Sequence, residues 1–370
     1  MQPPFRLYGA ELSAFSQKVR SFLRYKGLEH TWIERTVGTN AAFAQVARLP
    51  LTPVLVEADG RALQDSTLIL EKIEAAHPQP PSLPDSAALV FAAQVLEDYA
   101  DEWVNKIVFH ARWGKDEDLE ESAAQAVRAI YPDGDAPEGA VATLGARMAA
   151  KRPVIGASVD NAAALEASAV NLLDVLEAQL GQHAFLLGGV PCVGDFALAA
   201  QLSQLAMTRS GGDLMRARAP RVLAWVQTMA APTAVGGFLT FEQARGFLER
   251  LLGTECAGAH LAWMSANAAA LASGERSLSI WIHGHPYGQG TQKYAGKAFQ
   301  ELRRKRALKI EDGDLAALLG ACGLDEILKP VVLVETSRRD GSAVPEPDLQ
   351  DEGDAPAEGP ETEADETTAA

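Results

Sequence analysis

Residues 49–66 read LPLTPVLVEADGRALQDS, and this stretch decides how the first part of the chain folds. Pro53 has no backbone N–H to donate to a β ladder, so we expect it at the entrance of a strand over residues 54–56 and not within the strand. A cis peptide bond between Thr52 and Pro53 is compatible with that position. The sequence therefore predicts a bend that leads directly into a short buried strand.

The second half of the same stretch predicts a hairpin followed by a helix. Residues 57–61 contain a glycine between two β-prone runs, which indicates a tight turn and a second strand at residues 62–63. Asp65 and Ser66 are favourable N-cap residues, and an apolar stripe at helical spacing follows them as far as Ala76. Such a corner offers backbone amides that can grip an extended, peptide-like ligand with an anionic end.

The elements before this corner alternate between strand and helix. An apolar run at Phe5–Tyr8 favours a buried strand, a helical pattern runs from Ser16 to a stop at Lys26-Gly27, and His30–Glu34 favours a second strand. A crossover helix makes the first two strands parallel, whereas the hairpin makes the last two antiparallel. We therefore expect a mixed sheet.

The charge of the chain is concentrated at its C-terminal end. The 370 residues carry a formal charge of −16 and are 47% hydrophobic, which is enough for two or more packed domains. Residues 340–370 hold eleven acidic and no basic side chains, which leaves 38 acidic against 33 basic side chains for the rest. This tail lacks aromatic residues and is rich in proline and glycine, so we expect it to be disordered.

The cysteine count and the lack of a signal sequence indicate an intracellular protein. Three widely spaced cysteines predict neither a disulfide framework nor a zinc site. Residues 1–6 do not resemble a signal peptide, and no apolar stretch is long enough for a membrane span. We expect a soluble, cytoplasmic protein that does not bind to membranes.

The second part of the chain changes character after a proline-rich linker at residues 79–84. It is predicted to be nearly all helical, with a broad apolar stripe over residues 87–113 and a helix that begins at Pro220. Residues 114–158 are interpreted as a helical insertion with a flexible crossing.

The third part begins at the Gly236-Gly237 hinge and is predicted to be mostly helical, with a strand at Ser277–Ile282. His283 and His285 form a possible metal-binding pair, but no further ligand has suitable spacing, so a polar turn is favoured and no metal is expected. The basic residues at 303–306 could meet nucleic acid, but in a net-negative body a solvated helix face or a partner for the acidic tail is favoured, and no nucleic acid is expected.

The order of elements resembles a thioredoxin fold, with the segment Ser13–Ser16 standing where redox members carry a Cys-x-x-Cys motif. Residues 13–20, Thr52-Pro53 and Asp65-Ser66 together resemble the N-terminal domain of the glutathione transferases that have a serine in the first position. Residues 185–198 resemble a segment of their C-terminal domain, with Cys192 at a helix cap position and Asp195 reaching back to it. The third part is similar to that of longer bacterial transferase-like proteins.

The resemblance implies a thioredoxin-like α/β N-terminal domain, an all-α glutathione-transferase-like C-terminal domain and a mostly helical extension. The expected boundaries are 1–80 for the glutathione-binding domain, 87–235 for the helical domain, 236–334 for the extension and 335–370 for the disordered acidic tail.

The resemblance also assigns roles to residues. Ser13 would bond the glutathione sulfur, Thr52 would offer its backbone to the cysteinyl part beside a cis Pro53, and Asp65 and Ser66 would hold the γ-glutamyl end. A thiol is nucleophilic as the thiolate, and each unit of pKa lowering corresponds to about 1.4 kcal/mol of preference for the charged form. A hydroxyl donor and the positive end of a helix supply that preference.

These roles make the expected function the conjugation of glutathione to an electrophilic, apolar or aromatic small molecule, as in detoxification. Phe15, Tyr99 and Trp103 are candidates for the wall of the acceptor site, although an aromatic stripe at helical spacing is usually core. Two alternatives remain open: a non-catalytic binding or scaffold protein, and a glutathione-dependent reductase or ether-cleaving enzyme. The family precedent implies a homodimer.

Overall fold

The structure is a computed structural model that describes residues 4–309 and 311–329. The acidic tail predicted at residues 335–370, and the last residues of the predicted extension, lie outside the described residues.

The first part forms a mixed sheet with helices packed against it. In the described chain this sheet has four strands in the order β2-β1-β3-β4, with β1 parallel to β2 and the other neighbours antiparallel. The mixed sheet and the hairpin predicted from the sequence are therefore confirmed. The elements are β1 (Phe5–Gly9), α1 (Ala14–Tyr25), β2 (His30–Glu34), α2 (Asn40–Ala44), β3 (Val54–Val56), β4 (Ala62–Gln64) and α3 (Ser66–Ala76).

The two faces of the sheet bury different residues because side chains alternate along each strand. Leu7 and Leu55 face the large core shared with α1 and the helical part, whereas Tyr8, Val54 and Val56 pack with Phe43 on the other face. All of the residues Val54–Val56 are fully buried. This burial explains why a run of three consecutive apolar residues follows Pro53.

The second part is a helical bundle. Its helices are α4 (Ala87–Tyr99), α5 (Asn105–Trp113), α6 (Asp116–Ile130), α7 (Ala140–Ile155), α8 (Ala162–Leu180), α9 (Val193–Ala206), α10 (Arg209–Arg218) and α11 (Pro220–Thr228). The apolar stripe predicted over residues 87–113 is helical, but a π-helical segment at Ala100–Val104 separates α4 from α5. Widened turns of this kind often occur at functional sites, and this one lies beside the cavity described below.

The helix cap at Cys192 follows the expected arrangement. Asp195 is fully buried, and its carboxylate accepts from the backbone N–H groups of Cys192 (2.9 Å) and Leu186 (2.9 Å). Because a thiol is a weak acceptor, the carboxylate carries most of the bonding at the start of α9. This residue is a structural anchor in the bundle.

The third part packs against the bundle and continues with α12 (Phe241–Leu251), a π-helical segment (Leu252–His260), α13 (Leu261–Ser273), β5 (Ser277–Ile282), β6 (His285–Gly290), α14 (Lys293–Ala307) and α15 (Gly313–Ala321). β5 is confirmed, but the prediction of a polar turn over the following residues holds only for the hairpin tip, because residues 285–290 pair with β5 as a second strand. His283 lies at that tip and pairs with the buried Glu255 at 2.9 Å.

Two side chains of the basic run on α14 form ion pairs. Arg304 pairs with Glu301, and Lys305 pairs with Glu71 of α3, each at 2.7 Å. The second pair joins the third part to the first. Over residues 4–309 and 311–329, the helices are too short or too polar for any of them to cross a lipid bilayer.

Candidate functional site

A cavity of about 600 Å³ lies where the three parts of the chain meet. Its walls come from the corner at residues 48–68, from α4 with the π-helical segment and α5, and from α14 of the third part. A volume of this size is typical of small-molecule sites. Four of the residues predicted to bind glutathione line it: Thr52, Pro53, Asp65 and Ser66.

The loop before Thr52 is held in shape by one side chain. The Gln64 side-chain oxygen accepts from the backbone N–H groups of Arg48 (3.1 Å) and Leu49 (3.0 Å). Its side-chain nitrogen donates to the carbonyl oxygens of Leu49 (2.9 Å) and Leu51 (2.7 Å). Gln64 therefore fixes the backbone that leads into Thr52, and the Thr52-Pro53 bond is cis, as predicted.

Asp65 lies at the start of α3 in an unusual backbone conformation. Its φ of 91° is rare for a residue other than glycine, and such positions concentrate at functional sites. One carboxylate oxygen accepts from the backbone N–H of Leu68 at 3.1 Å, which caps the helix as predicted. The side chain is exposed to the cavity, next to the largely buried Ser66.

A buried lysine forms hydrogen bonds to this corner. Lys18 of α1 is fully buried and pairs with Glu97 of α4 (2.7 Å) and with Asp101 of the π-helical segment (2.6 Å). Its ammonium group also donates to the hydroxyls of Ser66 (3.4 Å) and Thr67 (3.1 Å). Burial alone would lower the pKa of Lys18, but the attraction of Asp101 and Glu97 raises the pKa above its usual value.

Ser13 is fully buried at the N-cap of α1. Its Oγ accepts from the backbone N–H of Ser16 at 3.2 Å, and Ser13 is not among the residues that line the cavity. Phe15, in the first turn of the same helix, does line the cavity. The hydroxyl group proposed to activate the sulfur thus serves as a helix cap in this conformation, with Phe15 presented to the cavity instead.

The third part places a helix over the corner. The hydroxyl of Tyr294 on α14 donates to the second carboxylate oxygen of Asp65 at 3.3 Å, and the tyrosine side chain is half-exposed. Lys297 and Ala298, on the same helix, also line the cavity. Residues Tyr294, Lys297 and Ala298 of α14 therefore form a roof over the predicted ligand corner.

A second polar group in the cavity wall is the Lys106 cluster, formed by Glu102, Lys106, Trp263 and Gln289. The buried Lys106 ammonium donates to the carbonyl oxygen of Ile155 (3.0 Å) and to the side-chain oxygen of Gln289 (3.3 Å), and lies 3.8 Å from the Trp263 ring centroid. Burial lowers the pKa of Lys106 to about 8, with Glu102 opposing the shift, and burial raises the pKa of Glu102 to about 8.

The aromatic wall predicted from Tyr99 and Trp103 is not found at the cavity. Both side chains are fully buried in the core. The Tyr99 hydroxyl donates to Glu255 and the Trp103 indole N–H donates to Ser168, each at 2.9 Å. These two residues belong to a buried polar layer between the bundle and the third part, so of the three predicted wall residues only Phe15 lines the cavity.

Three residues of the site were not predicted from the sequence. Lys18 is spaced four residues from Phe22, which gave a usable signal, because residues i and i+4 share a helix face. Lys106 lies three residues after Trp103, a spacing that also places two residues on one helix face. Tyr294 carried no local signal, since only the packing of α14 over the corner brings it to the site.

A thioredoxin-like sheet, a helical bundle and a peptide-sized cavity at their junction define the class of the molecule, and comparison with known proteins agrees with it. Residues 7–81 match the N-terminal domain of glutathione S-transferases, and residues 159–228 match the C-terminal domain. The chain thus contains segments that match both domains of the glutathione S-transferases.

Solved structures with a similar fold span much of the chain. A glutathione S-transferase from Methylobacterium radiotolerans, in complex with glutathione sulfonate, is 21% identical (TM-score 0.39) over 62% of this chain and 91% of its own. Rice GST1 with glutathione is 21% identical (TM-score 0.40), over 64% and 94%. FzlA from C. crescentus is 20% identical (TM-score 0.41), over 66% and 91%. No curated protein matches the sequence significantly.

Proposed function

We propose that the protein binds glutathione in the cavity and transfers its thiolate to a small electrophile. The observation that carries the proposal is that Thr52, Pro53, Asp65 and Ser66 line one cavity of about 600 Å³. The same four residues carry the sequence resemblance to the glutathione transferases. Two of the structures with a similar fold contain glutathione or glutathione sulfonate.

The groups at the corner match the chemistry of the tripeptide. Glutathione carries an ammonium group and a carboxylate at its γ-glutamyl end, and Asp65 offers a carboxylate for the first. The Ser66 hydroxyl and the amides in the first turn of α3 suit the second, because a helix N-terminus attracts anions. The backbone of Thr52 suits the peptide part, and Arg48 and Lys297 add positive charge for the remaining carboxylate.

Activation of the sulfur is assigned to Ser13 and the N-terminus of α1. The Ser13 oxygen accepts the Ser16 amide, and the hydroxyl still has its own proton to donate. A thiolate that accepts this proton near the positive end of α1 would have a lowered pKa. Because Ser13 is buried, this role requires Phe15 or the neighbouring backbone to move when glutathione binds. The acceptor in this proposal is an aromatic or apolar electrophile in contact with Phe15.

A second candidate function is glutathione binding without catalysis. The burial of Ser13 favours this candidate, since a hydroxyl that only caps a helix does not reach a sulfur in the cavity. The two candidates share the corner at Asp65 and Ser66 and differ in what happens to the thiol.

The test compares the wild type with Ser13→Ala by ultraviolet titration of the bound thiol and by turnover with 1-chloro-2,4-dinitrobenzene and with a mixed disulfide. A catalytic Ser13 predicts that its removal raises the thiol pKa by about one unit and lowers kcat/KM about tenfold. Ser21→Ala is the matched control, because Ser21 is a buried serine on the same helix whose hydroxyl bonds the carbonyl oxygen of Met229.

The results separate the candidates. An unchanged thiol pKa in wild-type complex and no turnover with either substrate would establish the binding protein. Turnover that survives in Ser13→Ala would move the activating role to the backbone of α1. Activity with the mixed disulfide alone would favour a reductase.

We also propose that the protein works as a cytoplasmic homodimer, as the family precedent implies. α14 packs against α4, and Lys305 pairs with Glu71 on α3, so these contact surfaces are not available to a second copy. Light scattering on the full chain gives the oligomeric state directly.

A further inference from the structure

The Lys106 cluster has a donor that the protein itself does not satisfy. Trp263 lines the cavity and is only 1% exposed, yet its indole Nε1 has no hydrogen-bond partner within residues 4–309 and 311–329. Leaving a buried N–H without an acceptor is unfavourable, so such groups call for a bound ligand or water. The other donor of the cluster, Lys106, lies against the face of the same ring.

The groups around the Trp263 N–H indicate which kind of acceptor atom would bind it. An N–H donor calls for an acceptor atom, and an ammonium group beside it favours an oxygen that carries partial negative charge. The two oxygens that Lys106 already bonds, the Ile155 carbonyl and the Gln289 side-chain oxygen, are both neutral. The arrangement therefore suits a neutral oxygen, as in a nitro or carbonyl group.

We propose that Trp263 and Lys106 form a subsite for a neutral nitro or carbonyl oxygen on the acceptor substrate. The subsite is built jointly by the bundle and the third part, since Lys106 belongs to α5 whereas Trp263 and Gln289 follow residue 236. It lies outside the residues that match the family domains. This inference rests on the proposed function, because it names the acceptor that would share the cavity with glutathione.

The test uses calorimetry with two conjugates that differ only in the nitro group, S-(4-nitrobenzyl)glutathione and S-benzylglutathione. Wild-type protein is expected to prefer the nitro compound about fivefold, which is the usual worth of one neutral hydrogen bond. Trp263→Phe keeps an aromatic ring and removes the N–H, so it should abolish the preference between the two conjugates. Lys106→Met should also reduce the preference.

Controls separate the subsite from folding and from the proposed function. Trp225→Phe changes a buried tryptophan outside the cavity and should keep the preference. Equal binding of both conjugates to wild type, or a preference that survives in Trp263→Phe, overturns the inference while glutathione binding stands. If glutathione and both conjugates fail to bind wild type, the proposed function fails and the inference falls with it.

Discussion

The two sides of the cavity are specified in different ways. On one side, the corner at residues 49–66 is built almost entirely from its own stretch of sequence, with Gln64 bonding the backbone at residues 48, 49 and 51. On the other side, α14 reaches the cavity only because it packs against α4 and α13. The corner is a local structure, whereas the roof depends on contacts more than 200 residues apart in sequence.

One side of the cavity can therefore be predicted from sequence motifs, whereas the other side can be identified only from the three-dimensional structure. The corner groups suit the proposed tripeptide, whereas Tyr294 and the Lys106 cluster lie outside the residues that match the family domains. A change in the roof should therefore alter which ligands fit, and a change in the corner should abolish binding.

The largest expected effect concerns Lys18, which ties the corner to the bundle. Lys18→Met leaves Glu97 and Asp101 buried without their cation, and breaking a buried pair in this way costs about 3–5 kcal/mol. We expect the free energy of unfolding, measured with urea, to fall by that amount.

The control is Arg61→Met, which removes an exposed cation paired with Glu57 and Asp59 and should change stability by less than about 0.5 kcal/mol. A loss of under 1 kcal/mol for Lys18→Met would show that the corner does not depend on the buried pairs.

A smaller effect is expected at the roof. Tyr294→Phe removes the hydroxyl that donates to Asp65, so the carboxylate loses one orienting bond. A neutral donor to a half-exposed group is worth about 1 kcal/mol, which corresponds to roughly fivefold weaker glutathione binding. Calorimetry measures the change, with Tyr131→Phe, outside the cavity lining, as control. Tighter binding by the variant would mean instead that the phenol competes with the ligand.

The sequence was sufficient for the corner because its signals are local. Pro53, the glycine turn and the Asp65 cap each act within a few residues, so the strands, the hairpin and the helix start fall where they were predicted. Periodicity also located the apolar stripe that forms α4 and α5.

Periodicity could not show which buried residues face a cavity and which face the core. Tyr99 and Trp103 sit on the predicted stripe, but their polar atoms are bound by Glu255 and Ser168 from distant segments. The same limit applies to Ser13, because a serine hydroxyl can either cap a helix or bond a sulfur atom. Burial by later parts of the chain decides such cases, and burial is a tertiary property.

The central claim is that the corner at Asp65 binds glutathione, and isothermal calorimetry of the wild type against Asp65→Asn tests it most directly. Asparagine retains an oxygen that can accept from Leu68 N–H, so the cap survives while the negative charge is lost. The account predicts that the wild type binds glutathione and that Asp65→Asn binds it at least about tenfold more weakly, as expected when an ammonium loses its charged partner. Equal affinities, or no binding to wild type at millimolar glutathione, would contradict it.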